Sequence, residues 1–297
     1  MYRYLLFTLI VAGSFSSCGN SGGEDKITDW SKPDNSSGST KPASYKVGDT
    51  LWPADSMKLV WADEFNTGTM VDTKDWTYEK GHVRNDEIQY YTEARPENCR
   101  IDGGQLIFTG RKETPSAATG NEAITSASII TNKKHSWKYG RFEVRCKVPP
   151  GKGPWPAFWA KGDSQNTGAG WPNCGEIDIM EYAAKNPNEM IQNAIYGTGS
   201  GSAYTQQVEK VQSATPYHTA FHVYTLDWTA NQLAFAIDNK VTHVVDLTKL
   251  TFNPFNQPFS ILLNLSLGAS TERTLGGKLD ESCLPVEFRV DYVRIYQ

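Results

Sequence analysis

The chain has 297 residues, a formal net charge of -4, 12% aromatic residues and nine tryptophans. Its 29 basic and 33 acidic side chains form no basic stripe or acidic block. That balance excludes a nucleic-acid surface or an electrostatically held membrane surface and leaves neutral or weakly charged partners. The five cysteines, Cys18, Cys99, Cys146, Cys174 and Cys283, show no CxxC pair and no Cys/His spacing suited to zinc, and fix no disulfide pairing.

In chain order, Arg3 precedes an apolar run at 5–12 and then small residues ending in Cys18, the layout of a bacterial export signal. The run is far below the roughly 20 residues of a membrane span. Phe15-Ser16-Ser17-Cys18 resembles a lipobox, with Phe15 where leucine is usual; it implies that Cys18 is lipidated and becomes the mature N-terminus, a plain cleaved signal peptide being the alternative. Residues 1–18 are thus expected to be a lipoprotein signal, and residues 19–50, rich in Gly, Ser, Pro, Asn and Asp, a flexible tether. Lipid and arm together point to display on the outer membrane, at the surface or the periplasmic face. Residues 51–297 carry no composition shift or repeat and read as one domain.

Within that domain, strand patterns recur between Gly, Pro, Asn and Asp clusters: QLIFTGR, ASIITN, GRFEVRCKV, HVYTLDW, QLAFAID, THVVDL, FSILLNLSL and FRVDYVRIY. Asp238-Asn239 marks a hairpin turn, and the alternation about Cys146 makes it a core residue. No capped apolar stripe of period 3.6 is long enough for a major helix. The fold class is therefore all-β, a sandwich of two antiparallel sheets.

The segment GEIDIMEY, 175–182, places Glu176, Asp178 and Glu181 in an apolar run. On a helix, Glu176 would lie about 200° from Asp178 and about 140° from Glu181, which scatters the acids. On a regular strand, Glu181 would point away from the other two, into the core, at a cost of several kcal/mol. One extra residue near Ile179-Met180, a β-bulge, returns Glu181 to their face. Three adjacent carboxyls must then share protons, the condition for general acid catalysis near neutral pH. Glu176 and Glu181 would stand about 13 Å apart at the backbone. Side chains leaning together across Asp178 can reach the ~5 to 5.5 Å carboxyl separation of a retaining glycosidase.

Glu-Ile-Asp-Ile-Met-Glu resembles the bulged signature of glycoside hydrolase family 16, laminarinase-like branch. VWADEFN, NDEIQYYT, YGRFEVRCKVPPGKGPWPAFW, FHVYTLDW and VDYVRIYQ follow in that family's order, so the resemblance runs from about residue 53 to the end. It implies a concanavalin-like β-jelly roll with a concave substrate cleft and an endo-acting, retaining double displacement. Glu176 is then the nucleophile, Glu181 the acid and base, and Asp178 the partner that sets their protonation. It also implies sugar-stacking walls at Trp155, Trp159 and Trp171, and cleft polar groups at Asn85, Glu87 and Gln89, with Arg84 as a further donor. No cofactor serves catalysis, but a structural calcium ion with Asp291 as its side-chain ligand is expected on the convex side. The chain is expected to act as a monomer on a polysaccharide or oligosaccharide.

Three departures bear on the substrate. GHVRNDE stands where glucan-cleaving relatives carry Gly-Trp-Gly-Asn-Asn-Glu; Tyr196 stands where they carry a histidine on the leaving-group side; LSLGAS replaces a Gly-Gly-Asn ending. The first reading is an endo-β-1,3- or mixed-linkage glucanase. The second is an endo-β-galactosidase acting on mucin O-glycans or polylactosamine, with agars, porphyrans and other galactans behind it. A glycan-binding surface lipoprotein without catalysis shares the architecture, but the intact acid triad argues against it.

Overall fold

A computed structural model describes residues 41–297. The expected signal peptide, the lipidated Cys18 and residues 19–40 of the expected tether lie outside the described residues. In chain order the first strands are β1 (Leu59–Asp63), β2 (Thr77–Tyr78), β3 (Tyr90–Tyr91), β4 (Cys99–Asp102), β5 (Gln105–Lys112) and β6 (Ile124–Ser126). Then come β7 (Ser128–Ile130), β8 (Gly140–Lys147), β9 (Trp155–Gly162), β10 (Glu176–Glu181), β11 (Glu189–Gly197) and β12 (Tyr204–Gln212). The last are β13 (His222–Trp228), β14 (Gln232–Ile237), β15 (Lys240–Asp246), β16 (Phe259–Ser266) and β17 (Val286–Tyr296). Helical structure among the described residues is limited to 3-10 turns of three or four residues.

Two sheets result, as the alternation predicts. The larger runs β15-β14-β13-β8-β17-β5-β6-β3, with β1 on β17 and β4 on β5; the smaller runs β12-β11-β10-β9-β16-β7-β2. Pairing is antiparallel except for the short β3–β6 contact, which is parallel. The core lies where the sheets face each other: Phe142, Val144 and Cys146 of β8 and Leu226 of β13 meet Phe158 of β9 and Ile261 and Leu263 of β16, all fully buried. Each large apolar side chain so enclosed contributes about 1.5–3 kcal/mol. Asp238 and Asn239 both take positive φ, 47° and 69°, and join β14 to β15 in the two-residue turn that matches strand twist.

The domain begins about ten residues earlier than its composition suggests. Residues 41–50, expected to be tether, pack on β14 and β15: Tyr45 is buried with Leu51, Ala234, Ala236 and Val241. Gly48 N donates to Val241 O at 2.8 Å, and Val241 N to Asp49 O at 2.9 Å. Beneath them Asp227, whose side chain is fully enclosed, accepts from Arg141 Nη2 and Lys41 Nζ, both at 2.9 Å. Polar composition hid this segment because one tyrosine and a buried ion pair hold it, not an apolar run. Asp227→Ala leaves the Arg141 guanidinium buried and unpaired, and is expected to cost about 3–5 kcal/mol. Urea unfolding of the two proteins measures this; a midpoint within error of the parent would show that the pair holds nothing.

Candidate active site

The register of the smaller sheet builds the site. Residues directly opposed on neighbouring strands share a face. One row across the outer face reads Lys161, Glu176, Ile195, Gln206; the next reads Leu262, Trp159, Asp178, Asn193, Val208. Between Asp178 and Glu181, β10 spends three residues where β11 spends two, from Asn193 to Ile191. Against β9 the slip falls between Asp178 and Met180. Ile179 and Met180 both enter the core with no exposure, and Glu181 comes back to the outer face opposite Ala157. The third row is therefore Asn264, Ala157, Glu181, Ile191, Lys210. The three acids stand on one face, in successive rows of one strand.

Their surroundings divide the protons unequally. Burial raises the Glu176 carboxyl, but Lys161, Arg84, the Trp171 indole N–H and a hydrogen bond from Asp178 all favour its ionised form. Asp178 is pushed well above the usual carboxylate range by burial and then by the charges of Glu181 and Glu176, and nothing opposes this. Glu181 is pushed up to about 8, first by burial and then by Glu176, against a hydrogen bond from Trp155 Nε1 to its Oε1 at 3.0 Å. Burial raises all three carboxyls, and Glu176 is the one faced by cations that favour its ionised form.

The other expected site residues separate. Trp171 is 44% exposed, and Trp155 stands half-buried beside Glu181. Trp159 is no open wall: it is buried in the floor, its Nε1 donates to Asn264 Oδ1 at 2.8 Å, and the Arg84 guanidinium lies 5.2 Å above its ring. Arg84 Nη2 is paired with Glu79, while its Nη1 is buried without a protein partner. Asn85, at φ 60°, lines a cleft pocket of about 440 Å³ with Asp86, Trp155, Arg273, Thr274 and Leu275.

Glu87 is buried and accepts from Asn85 Nδ2, Gln89 Nε2 and Tyr91 OH. Gln89 in turn accepts from Leu267 N at 2.8 Å, so the pair fastens the cleft loop to the end of β16. Tyr196 is a correction: the parity that puts Ile195 and Gly197 outward turns it into the core, where its ring meets Phe255 edge-on at 6.1 Å. β11 offers Asn193 to the cleft instead, with its Oδ1 buried and unpartnered, as is Asp178 Oδ2. Only pairing register reveals Asn193, because it depends on where β11 sits against β10.

Asp291, the expected calcium ligand, meets a side chain of β8. Asp291 Oδ2 accepts from Arg145 Nη1 at 2.7 Å, so a cation there would meet a guanidinium. Among the described residues no group of three or more His, Cys, Asp or Glu side chains could hold a metal ion.

A two-sheet sandwich whose outer face joins three carboxyl groups of one strand with indole rings beside them has the layout of a carbohydrate-cleaving enzyme. The chain belongs to the glycosyl hydrolases family 16, whose family model matches residues 70–293. It is 38% identical to the β-glucanase of Rhodothermus marinus over 81% of this chain and 85% of that protein. It is 31% identical to the keratan-sulfate endo-1,4-β-galactosidase of Sphingobacterium multivorum, over 81% of this chain and 55% of that one. The laminarinase structure from Flavobacterium sp. UMI-01 superposes with a TM-score of 0.70 at 35% identity, covering 81% of this chain and all of that one. The protein is an endo-acting glycosidase of the family 16 jelly-roll type.

Proposed function

We propose that this enzyme is a retaining endo-β-glycanase whose preferred substrate is β-1,3- or mixed-linkage glucan. The observation that carries the reading is the bulge in β10, which sets Glu176, faced by Lys161 and Arg84, and Glu181, pushed up to about 8, on one face. A Glu176 oxygen attacks the anomeric carbon as the bond to the glycosidic oxygen breaks, and the Glu181 proton goes to that oxygen. Glu181, now ionised, takes a proton from water; the resulting hydroxide equivalent displaces Glu176 and restores both groups. Asp178 donates to Glu176 and limits the charge held between the two glutamates. The glucan preference draws on the β-glucanase and laminarinase relatives. The export signal and Cys18 support a lipid-anchored place in the cell envelope, where a monomer would meet extracellular polysaccharide.

A second reading, an endo-β-galactosidase, is favoured by one local observation. Arg84 lays its guanidinium over the Trp159 floor near Glu176, a charged donor group in a cleft whose contacts differ from those of the glucan-cleaving relatives and which suits a hydroxyl moved from equatorial to axial. The Sphingobacterium relative gives that reading a precedent. The test is incubation with laminarin, barley mixed-linkage glucan, poly-N-acetyllactosamine and mucin O-glycans, with products read by mass spectrometry and the first-formed anomer by proton NMR. Glucose oligomers released as the β-anomer are expected. Products containing N-acetylhexosamine would transfer the preference to the galactosidase reading, and an α-anomer formed first would overturn retention.

A further inference from the structure

β12 differs from every other long strand: it is exposed along almost its whole length, with only Val211 half-buried. Its register nonetheless ties it to the catalytic face. Tyr204 opposes Gly197, Gln206 opposes Ile195 and Val208 opposes Asn193, so Tyr204, Gln206 and Val208 stand on the same side of the sheet as Glu176 and Asp178. Two strand spacings, about 10 Å, separate β12 from β10. Seven large apolar side chains are exposed among the described residues, and Trp171, Tyr204 and Val208 gather three of them at this end of the sheet.

The two rings form one unit, with centroids 5.3 Å apart. Asn173 joins the segments that carry them. Its Oδ1 accepts from Gly199 N at 3.0 Å and its Nδ2 donates to Gly201 O at 2.8 Å, while Gly197 N donates to Pro172 O at 3.0 Å. A Cβ at Gly197 would lie 2.0 Å from Asn173 Oδ1, so glycine is required there for the loop to close. Gln206, the next residue after Tyr204 on this side of β12, carries an amide whose Oε1 accepts from Asn193 Nδ2 at 3.5 Å. An aromatic face with a neighbouring amide is the pairing that holds a pyranose ring: the ring's C–H face on one, a hydroxyl on the other.

We infer that Tyr204 and Gln206, outward on β12 from the Trp171 ring that borders Glu176, form a further sugar subsite that holds the polysaccharide beyond the residues directly over Glu176 and Glu181. The inference rests on the glycanase reading above. It makes Tyr204 a specificity-determining residue that favours long chains, with no part in the bond-breaking step. Because Tyr204 is 52% exposed on an edge strand, its truncation removes no core contact.

The experiment compares wild type, Tyr204→Ala and Tyr204→Trp on reducing-end-labelled laminari-oligosaccharides of graded length. If laminarin is not cleaved, matching oligosaccharides from whichever of the four polysaccharides is cleaved are used. Tyr204→Ala is expected to lower kcat/KM up to about tenfold on the longest oligosaccharide and less than twofold on the shortest one cleaved, and to shift the bond preferred along the chain. Tyr204→Trp is expected to keep the wild-type cleavage pattern. A loss equal at all lengths, or no loss at any, would overturn the subsite while leaving the glycanase reading standing. A wild-type enzyme inert on all four polysaccharides would remove that reading and the subsite with it.

Discussion

Glu176→Gln is expected to reduce kcat on the order of 10⁵-fold while leaving the fold unchanged. Glutamine keeps the size and the hydrogen-bonding shape of the side chain, so the rows on β9, β10 and β11 have no cause to move. What it lacks is the negative charge that Lys161, Arg84 and the Trp171 N–H favour, and with it the electron pair that bonds to the anomeric carbon. The measurement is initial rate on the best of the polysaccharides, with thermal melting as a fold control. A 2-deoxy-2-fluoro β-glycoside with a dinitrophenol leaving group provides the direct test. It should add one glycosyl mass to the peptide holding Glu176 in the wild type and to none in the variant. Label on another carboxylate, or hydrolysis by the variant within tenfold of wild type, would refute the assignment.

Glu181→Gln is expected to slow polysaccharide cleavage by about 10²–10⁴-fold, the usual worth of a positioned general acid. The loss should shrink sharply on an aryl β-glycoside whose phenol leaves without a proton. The pH profile adds a second signature. Glu181 must be protonated to serve as acid, and burial with the neighbouring Glu176 charge pushes its carboxyl up to about 8. Wild-type kcat/KM should therefore hold through neutral pH and fall as pH rises through about 8, as the proton is lost. It should fall again on the acid side, where Glu176 takes up a proton. In Glu181→Gln the alkaline fall should vanish, because the group that titrates there is gone. An alkaline limb that survives the substitution would show that some other group controls it.

The candidate site was legible in its chemistry before its geometry. Three acids in GEIDIMEY could not share a face on any regular element, so the pattern itself demanded an irregular one, and β10 carries it between Asp178 and Met180. The wrong assignments have a common cause. Tyr196 was placed by position in a motif, yet one residue of parity on β11 turns it into the core and gives its place to Asn193. Trp159 is an indole at a cleft-facing position whose ring is covered by Arg84, a contact made across a loop 75 residues earlier in the chain. β12 escaped notice for the opposite reason: a strand exposed on both faces has no apolar alternation to read.

By itself the sequence determined the all-β class, most of the long strands, the hairpin at Asp238-Asn239 and the identity of the three acids. These follow from periodicity, turn chemistry and the cost of a misplaced charge, all of which act between residues near in the chain. Tertiary structure alone decided that the chain from Lys41 packs on the domain, that burial raises all three carboxyls while Lys161 and Arg84 face Glu176, and that the Tyr204 ring meets the Trp171 ring. Each of these depends on burial and on partners brought from distant strands, and short-range pattern carries no information about either.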